Sequence, residues 1–270
     1  MTADELKNRL EFYRDLGVEY IYRRGETAAG RAPVAIAAEP LVTAPAMKPA
    51  GAPAAREAQP QTMAPIAAEK FTVLPSLENS TDTLEQIRLD IGDCHRCRLS
   101  EKRLSIVFGS GSENTKLVFV GEGPGADEDE QGLPFVGRAG QLLTQMIENT
   151  AAKEGIPIRR ADVYICNVVK CRPPENRTPL PDEMQTCGQF LYRQLLTIQP
   201  KAICALGATA MKALLDTKEG ITKQRGKWHK WRDIPMMVTY HPSYLLRQYN
   251  QQARREAWED LKTLFHFVYD

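Results

Sequence analysis

A short apolar run followed at once by a long glycine-rich connection constrains this chain more than any other feature. Leu117–Val120 indicates a buried strand, and apolar residues return at helical spacing in 141–147. The stretch between them, Gly121–Gly140, holds glycines, carboxylates and one aromatic residue, Phe135. Ligands bind at strand-to-helix connections of this kind in open α/β sheets, and glycine lets the backbone approach a ligand closely. We therefore predict a ligand site here, with Phe135 as a stacking surface.

The chain from about Ser80 onward alternates apolar runs with helical patterns. The predicted strands are Lys116–Val120, Val163–Val169, Ala202–Leu206 and Pro235–Thr239. The predicted helices cover 84–91, 138–153, 181–198, 207–214 and 250–268. Ser80 or Thr81 is the predicted N-cap of the first of these helices. The last helix uses Trp258, Leu261, Leu264 and Phe265 for its apolar face. This alternation favours a parallel sheet covered by helices on both faces.

The first 78 residues differ in composition from the rest. Residues 1–24 predict an amphipathic helix in which Thr2 and Glu5 form a capping box. This segment docks on its own domain, binds a partner, or is disordered when alone. Residues 25–78 are rich in Ala and Pro and have no sustained apolar period, which predicts a disordered linker. We expect one folded domain over residues 79–270.

Composition excludes several classes of protein. No apolar run approaches the ~20 residues that cross a bilayer, and the charged N-terminal stretch does not resemble a signal peptide. We therefore expect a cytoplasmic protein without membrane association, and a monomer. The net charge is +1, so any basic surface for nucleic acid must be local.

The six cysteines fall into two groups. Cys94 and Cys97 form a C-x2-C pair, while Cys171 and Cys187 have 15 residues between them, and all four flank polar loops. Four such thiols suit either an iron–sulfur cluster or structural zinc, and spacing alone does not choose between them. The other two cysteines, Cys166 and Cys204, lie within apolar strand runs and are predicted to be core residues.

Four motifs in order resemble the family 4 uracil-DNA glycosylases, the iron–sulfur branch of their superfamily. They are Gly121–Gly125 (GEGPG), Gly132–Gly140 (GLPFVGRAG), Asn167–Pro174 (NVVKCRPP) and His241–Arg247 (HPSYLLR), interleaved with the four cysteines. The resemblance covers roughly residues 84–268. It implies a three-layer α/β/α fold around a four-stranded parallel sheet, a [4Fe-4S] cluster on Cys94, Cys97, Cys171 and Cys187, and excision of uracil from DNA.

The resemblance also implies roles for three residues of a base pocket. Asn167, inside an otherwise apolar strand, matches the Asn that pairs with O4 and N3 of uracil. Its one donor and one acceptor suit uracil, whereas cytosine reverses the pattern. Phe135 matches the stacking aromatic, and base–aromatic stacking is worth ~1–3 kcal/mol. His241 matches the group whose neutral imidazole N–H stabilises charge on O2 of the departing uracil.

The carboxylates of the glycine-rich connection are further candidates. Glu122 is the predicted catalytic carboxylate, because a carboxylate near the cation-like glycosidic carbon stabilises it or orients water. Its alternative is a structural role in the loop, since better-known relatives carry the water-positioning Asp where this chain has Gly123. Glu128 matches a family position, and Gly121 and Gly123 allow close approach of the base. The acidic run Asp127–Glu130 is otherwise expected to be a solvated face.

Residues expected to contact DNA lie near the last motif and around the pocket. The loop Ser243–Arg247 resembles the one that enters the minor groove, where Leu245 or Leu246 can fill the gap left by a flipped base. Alternatively, these leucines form a buried helix face. Candidate phosphate contacts are Arg138, Lys170, Arg172, Arg225, Lys227 and Arg247.

The sequence leaves other functions open. The chain can be a repair enzyme that acts on deoxyuridine, a protein of the same fold that binds uracil-DNA without turnover, or a glycosylase for another deaminated base. An iron–sulfur electron carrier is poorly supported, because it explains none of Phe135, Asn167 and His241. The expected partner is uracil-containing DNA, single- or double-stranded, and residues 1–24 are a candidate site for a replication or repair protein.

Overall fold

The computed structural model describes residues 82–215, 217–247 and 250–270 of the chain. The predicted helix over 1–24, the predicted linker over 25–78 and the expected domain start at residue 79 lie outside the described residues. No helix in the described part combines the length and apolarity that crossing a bilayer requires.

A six-stranded sheet forms the centre of the described part of the chain. Its strands are β1 (Ser110–Gly111), β2 (Leu117–Gly121), β3 (Tyr164–Asn167), β4 (Ala202–Leu206), β5 (Trp228–Trp231) and β6 (Ile234–Thr239). Their order in space is β1-β3-β2-β4-β6-β5, and the four inner strands are parallel. The predicted four-stranded parallel sheet is confirmed, and each edge carries one further antiparallel strand. The sequence did not predict the two edge strands, because β1 has only two residues and Trp231 is the one buried residue of β5.

The helices match the predicted ones closely. They are α1 (Leu84–Ile91), α2 (Ala126–Gln131), α3 (Arg138–Lys153), α4 (Pro181–Ile198), α5 (Gly207–Leu214), α6 (Ile221–Gln224), α7 (Pro242–Leu245) and α8 (Gln251–Tyr269). The short helices α2, α6 and α7 were not predicted. The N-cap of α1 is Thr83, not Ser80 or Thr81, because the side chains of Thr83 and Gln86 each accept the other's backbone N–H.

Strand residues alternate between two hydrophobic layers, which establishes the three-layer architecture. Val118 and Val120 face the layer that contains α1, α4 and α5, while Leu117 and Phe119 face α3 and α8. Of the two predicted core cysteines, Cys166 lies in the first layer and Cys204 in the second, both fully buried. The apolar face of α8 differs from the prediction, since Trp258 is only half-buried and the helix packs through Ala253, Ala257, Leu261, Leu264, Phe265 and Val268.

The register of the parallel strands aligns their carboxyl ends. Gly121 at the end of β2 pairs with Asn167 at the end of β3, and Leu206 of β4 pairs with Thr239 of β6. The connections that leave these four strands therefore start at one edge of the sheet, the position at which ligands bind in open α/β folds.

Candidate active site

A pocket of about 440 Å³ opens at the carboxyl edge of the sheet. Predicted site residues in its lining are Glu122, Gly123, Glu128, Phe135, Arg138, Asn167, His241 and Ser243. They come from the connections after β2, β3 and β6. The fold therefore gathers into one cavity residues that are up to 121 positions apart in the chain.

Asn167 provides the most informative polar group of the pocket. Its side chain is 1% exposed, and its Oδ1 has no hydrogen-bond partner among the described residues. A buried acceptor without a donor costs about 1–3 kcal/mol. The atom lies beside Gly121, where a Cβ would come within 2.4 Å of it and within 2.6 Å of the Phe135 ring. Glycine at position 121 thus makes room for both side chains. The Oδ1 atom of Asn167 is available to accept a hydrogen bond from a bound molecule.

Phe135 forms an aromatic wall of the same pocket. It is 6% exposed, and its ring centroid lies 5.6 Å from that of His241, with the planes inclined by 37°. Its backbone has a φ of 54°, the left-handed region that side-chain-bearing residues rarely occupy. The ring is therefore held in the pocket by an unusual backbone conformation.

His241 is a neutral imidazole whose tautomer follows from its contacts. Burial lowers its pKa to about 4. The backbone N–H of Ser243 donates to Nδ1 at 3.2 Å, and Ser243 Oγ lies 2.7 Å from the same atom. Since Nδ1 accepts from the backbone, the ring proton of the neutral form is on Nε2. The imidazole thus presents an N–H donor without a positive charge.

Glu122 follows β2 directly and contacts a residue that sequence reasoning missed. Its Oε2 accepts a hydrogen bond from Oγ1 of Thr209, which lies on the first turn of α5. The backbone carbonyl of Glu122 also accepts from the N–H of Val169 at 3.2 Å. Both ends of the residue are therefore fixed, and its carboxylate borders the pocket.

Apart from Glu128, the acidic run Asp127–Glu130 was predicted to be a solvated face, and this is wrong for Asp129. Glu128 accepts backbone N–H bonds from Gly125, Val136 and Gly137 at 2.9–3.0 Å. Asp129 is 1% exposed and accepts from the N–H groups of Leu104 and Ser105. Both carboxylates stabilise loops, and helix α2, which bears them, interrupts the connection that the sequence indicated as one long loop.

The residues that were predicted to contact DNA differ in how far their side chains are exposed. Arg138, Ser243 and Arg247 are exposed, and Arg172 donates from Nε to Asn176 Oδ1. Leu245 is 1% exposed in the core, so the structure does not present it as a wedge, and Leu246 is half-buried. The leucines of this loop thus follow the alternative of a buried face.

Two of the residues that were predicted to contact phosphate form their contacts inside the protein. Lys170 is fully buried, and its Nζ donates to the carbonyl of Asn167 and to Gln194 Oε1. Arg225 pairs with the buried carboxylate of Asp260. Lys170 is not exposed as a phosphate ligand must be, and the Arg225 side chain is only 20% exposed beside the Asp260 carboxylate, whereas Lys227 is exposed.

Sequence reasoning missed one wall of the pocket. Pro173, Asn176 and Arg177 line it from the connection after β3, and Gly207 and Ala208 line it after β4. Their position in connections that follow parallel strands was the available signal.

The four candidate ligand cysteines lie in one corner of the domain. Cys94 and Cys97 pack against the hydrophobic layer that contains Cys171 and Cys187. Within the described residues, no three His, Cys, Asp or Glu side chains lie close enough to surround a single metal ion. Three sulfurs have N–H neighbours: Arg96 Nη1 at 3.5 Å from Cys94, Arg103 Nη1 at 3.7 Å from Cys171, and the Lys170 N–H at 3.3 Å from Cys187. Burial raises the pKa of the Cys171 and Cys187 thiols, and the N–H donors to these two sulfurs act in the opposite direction, so the donors favour the thiolate form in which cysteine ligates a cluster.

Comparisons with known proteins agree with this geometry. The uracil DNA glycosylase superfamily profile matches residues 108–262. The chain is 46% identical over 189 residues to a type-4 uracil-DNA glycosylase of Thermotoga maritima, covering 69% of this chain and 95% of that protein. It is also similar to the type-4 enzymes of Sulfurisphaera tokodaii (42% identity; 68% and 84% covered) and Archaeoglobus fulgidus (40%; 68% and 92%).

Proposed function

The chain belongs to the type-4 uracil-DNA glycosylases, and we propose that it hydrolyses the N-glycosidic bond of deoxyuridine in DNA. The products are free uracil and an abasic site. Such an enzyme acts on a base that has been flipped from the stack into a pocket. The pocket at the carboxyl edge of the sheet, about 440 Å³ in volume, is where we place that base.

One observation carries the substrate assignment: the buried, unpartnered Oδ1 of Asn167. Uracil has a donor at N3, which suits this acceptor, and an acceptor at O4, which suits the amide nitrogen of the same side chain. Cytosine offers an acceptor at N3 and a donor at its 4-position. It would leave both groups unpaired, at about 1–3 kcal/mol for each buried group. The pocket thus favours uracil over the undamaged base.

The two rings of the pocket act on the same base. Phe135 stacks on the uracil face, and His241 donates its Nε2–H to O2. When the C1′–N1 bond breaks, the bonding electron pair leaves with uracil, and negative charge develops on O2. A donor already aimed at that position stabilises the transition state. Because the pKa of His241 is about 4, the imidazole does this as a neutral group.

Glu122 acts on the sugar side of the bond. The departing anion leaves a cation-like centre at C1′, which a carboxylate stabilises while it orients the attacking water. Water adds its oxygen to C1′ and loses one proton, and the departing uracil anion gains one proton, so that the products are neutral uracil and the abasic sugar. The hydrogen bond from Thr209 holds the Glu122 carboxylate in one orientation, as positioned catalysis requires.

We also propose that Cys94, Cys97, Cys171 and Cys187 hold a [4Fe-4S] cluster. The cluster would cross-link the segment after α1, the loop after β3 and helix α4. Hydrolysis transfers no electrons, so its contribution is structural. Because Cys171 lies four residues beyond Asn167, the cluster would restrict the motion of the loop that follows Asn167.

DNA is the proposed macromolecular partner. Arg138 is exposed at the pocket lining and suits a phosphate, with Ser243 of the same lining, the exposed Arg247 and Arg172 as further proposed contacts. Binding of a repair or replication protein by residues 1–24, a cytoplasmic location and a monomeric state remain predictions.

Base release tests the proposed function directly. The anaerobically purified protein is incubated with an oligonucleotide that contains one uracil, and alkali then cleaves abasic sites. We expect several turnovers on uracil-DNA and none on matched cytosine or thymine DNA. A metal-loaded protein that binds uracil-DNA on a gel but never releases the base would instead be a binding protein or a glycosylase for another base.

A further inference from the structure

Phe135 occupies a backbone conformation that its own side chain disfavours. Its φ of 54° is left-handed, where the Cβ of an L-residue crowds the following carbonyl. Its carbonyl also passes so close to α3 that a Cβ on Gly140 would lie 1.9 Å from the carbonyl carbon and oxygen. Such conformations persist only where the surrounding structure enforces them. Some group must therefore hold the peptide units on either side of Phe135.

Two side chains from distant parts of the sequence hold those two units. On the C-terminal side, Glu128 Oε1 accepts the N–H groups of Val136 and Gly137, both at 2.9 Å. On the N-terminal side, Arg160 Nη2 donates to the carbonyl of Pro134 at 2.7 Å. The peptide before Phe135 and the peptide after it are thus each fixed by an ionic side chain.

Arg160 is placed for this contact and is absent from the pocket lining. It lies in a 3-10 turn, Arg160–Asp162, that precedes β3. Its Nη1 donates to Thr144 Oγ1 at 2.9 Å and to the Gly140 carbonyl at 3.4 Å. All the acceptors of its guanidinium belong to residues 134–144, the segment that encloses Phe135.

We propose that Arg160 and Glu128 are positioning residues for base stacking, which clamp Phe135 in its left-handed conformation beneath the flipped base. The inference rests on the proposed function, because stacking requires a base in the pocket. It assigns Glu128 to the loop rather than to the substrate. It also gives Arg160 a part in the reaction although this residue does not line the pocket.

A double-mutant cycle tests the clamp kinetically. Arg160→Met keeps the length of the side chain but removes its donors, and we expect about a tenfold lower kcat/KM on uracil-DNA, mostly through KM. Phe135→Leu removes the stacking ring. If Arg160 acts through Phe135, Arg160→Met costs less than twofold in the Phe135→Leu background. Full additivity in the cycle, or an unchanged kcat/KM for Arg160→Met alone, would overturn the proposal.

The matched control is Arg159→Met, one residue away. Arg159 has a side chain that is 79% exposed, and the segment 134–144 does not accept from it. We expect this variant to behave as wild type. An equal loss of kcat/KM in both variants would show a general electrostatic effect and would count against the clamp.

Hydrogen exchange gives a readout that does not depend on activity. The N–H groups of Val136 and Gly137 are protected by Glu128, so loosening the clamp should speed their exchange. We expect faster exchange in the peptide that covers 133–139 for Arg160→Met and not for Arg159→Met. Unchanged exchange refutes the clamp even in an active protein. If the wild-type protein releases no uracil, the proposed function fails and base stacking fails with it, while the exchange result still decides whether Arg160 and Glu128 clamp Phe135.

Discussion

The neutral state of His241 makes a prediction that the pH dependence of stability can test. Burial lowers the pKa of this imidazole from 6.5 to about 4, and each unit corresponds to about 1.36 kcal/mol. Between these values the unfolded chain binds a proton at this site and the folded chain does not. Protons therefore favour unfolding, and the full shift corresponds to about 3 kcal/mol. The stability linked to His241 falls as the pH drops from 6.5 toward 4.

The comparison variant is His241→Gln, which keeps a side-chain N–H but cannot titrate. From the two pKa values, we expect the free energy of unfolding of the wild type, relative to that of His241→Gln, to fall by about 2 kcal/mol between pH 7 and pH 5. The assay is urea unfolding of both proteins, loaded with metal, at each pH. Other titrating groups are common to both proteins and cancel in the difference.

A second histidine supplies a control of opposite sign. Hydrogen bonds to Glu154 and Asp270 raise the pKa of His266, so protonation at that site favours the folded state. Relative to His266→Gln, the wild type should gain stability as the pH falls. A pH profile of His241→Gln that parallels the wild type would refute the neutral imidazole, and with it the assignment of an uncharged donor to uracil O2.

Three further predictions concern the pocket and the cysteines. Asn167→Asp replaces the amide donor by an acceptor, so the ratio of uracil to cytosine release should fall by at least about tenfold; an unchanged ratio in competition assays contradicts the recognition role. Thr209→Val removes the hydrogen bond to Glu122 and should lower the single-turnover rate about tenfold, while Thr209→Ser, which keeps the hydroxyl, should not. Cys187→Ser should abolish the visible absorbance of the purified protein and lower its melting temperature, whereas Cys204→Ala should keep the absorbance; a coloured Cys187→Ser protein would exclude this residue as a ligand.

Sequence patterns predicted the interior of this fold better than its edges. The four parallel strands are continuous apolar runs because both of their faces are buried, so Ala202–Leu206 was predicted to the residue. Strand β5 has one buried residue and presents no such run. The position of Asn167 was readable for a related reason, since a polar residue inside an otherwise apolar run is buried with its neighbours and requires a hydrogen-bond partner.

The roles of charged residues were the least predictable part. A carboxylate in an acidic run gives no sign in the sequence of whether it faces water or a set of backbone N–H groups. Glu128 and Asp129 do the latter, and the choice depends on where the loop amides point after folding. Lys170 was likewise expected at the surface because its neighbours Cys171 and Arg172 belong to a polar loop. Its place in the core follows from Gln194 on α4, 24 positions away.

Glu128 and Asp129, whose carboxylates bond to backbone N–H groups, reduce the negative charge that the acidic run presents at the pocket mouth. A run of four acidic residues beside a DNA-binding cleft would repel phosphates if all four faced solvent. The charges of Glu128 and Asp129 are instead compensated by backbone N–H dipoles, so that only Asp127 and Glu130 of this run are exposed. The bonds of Glu128 to Val136 and Gly137 also lie beside Phe135. In the proposed site, therefore, Glu128 both lowers the repulsion of DNA and positions the stacking ring, so a neutral substitution at Glu128 should loosen the base pocket rather than simply improve DNA binding.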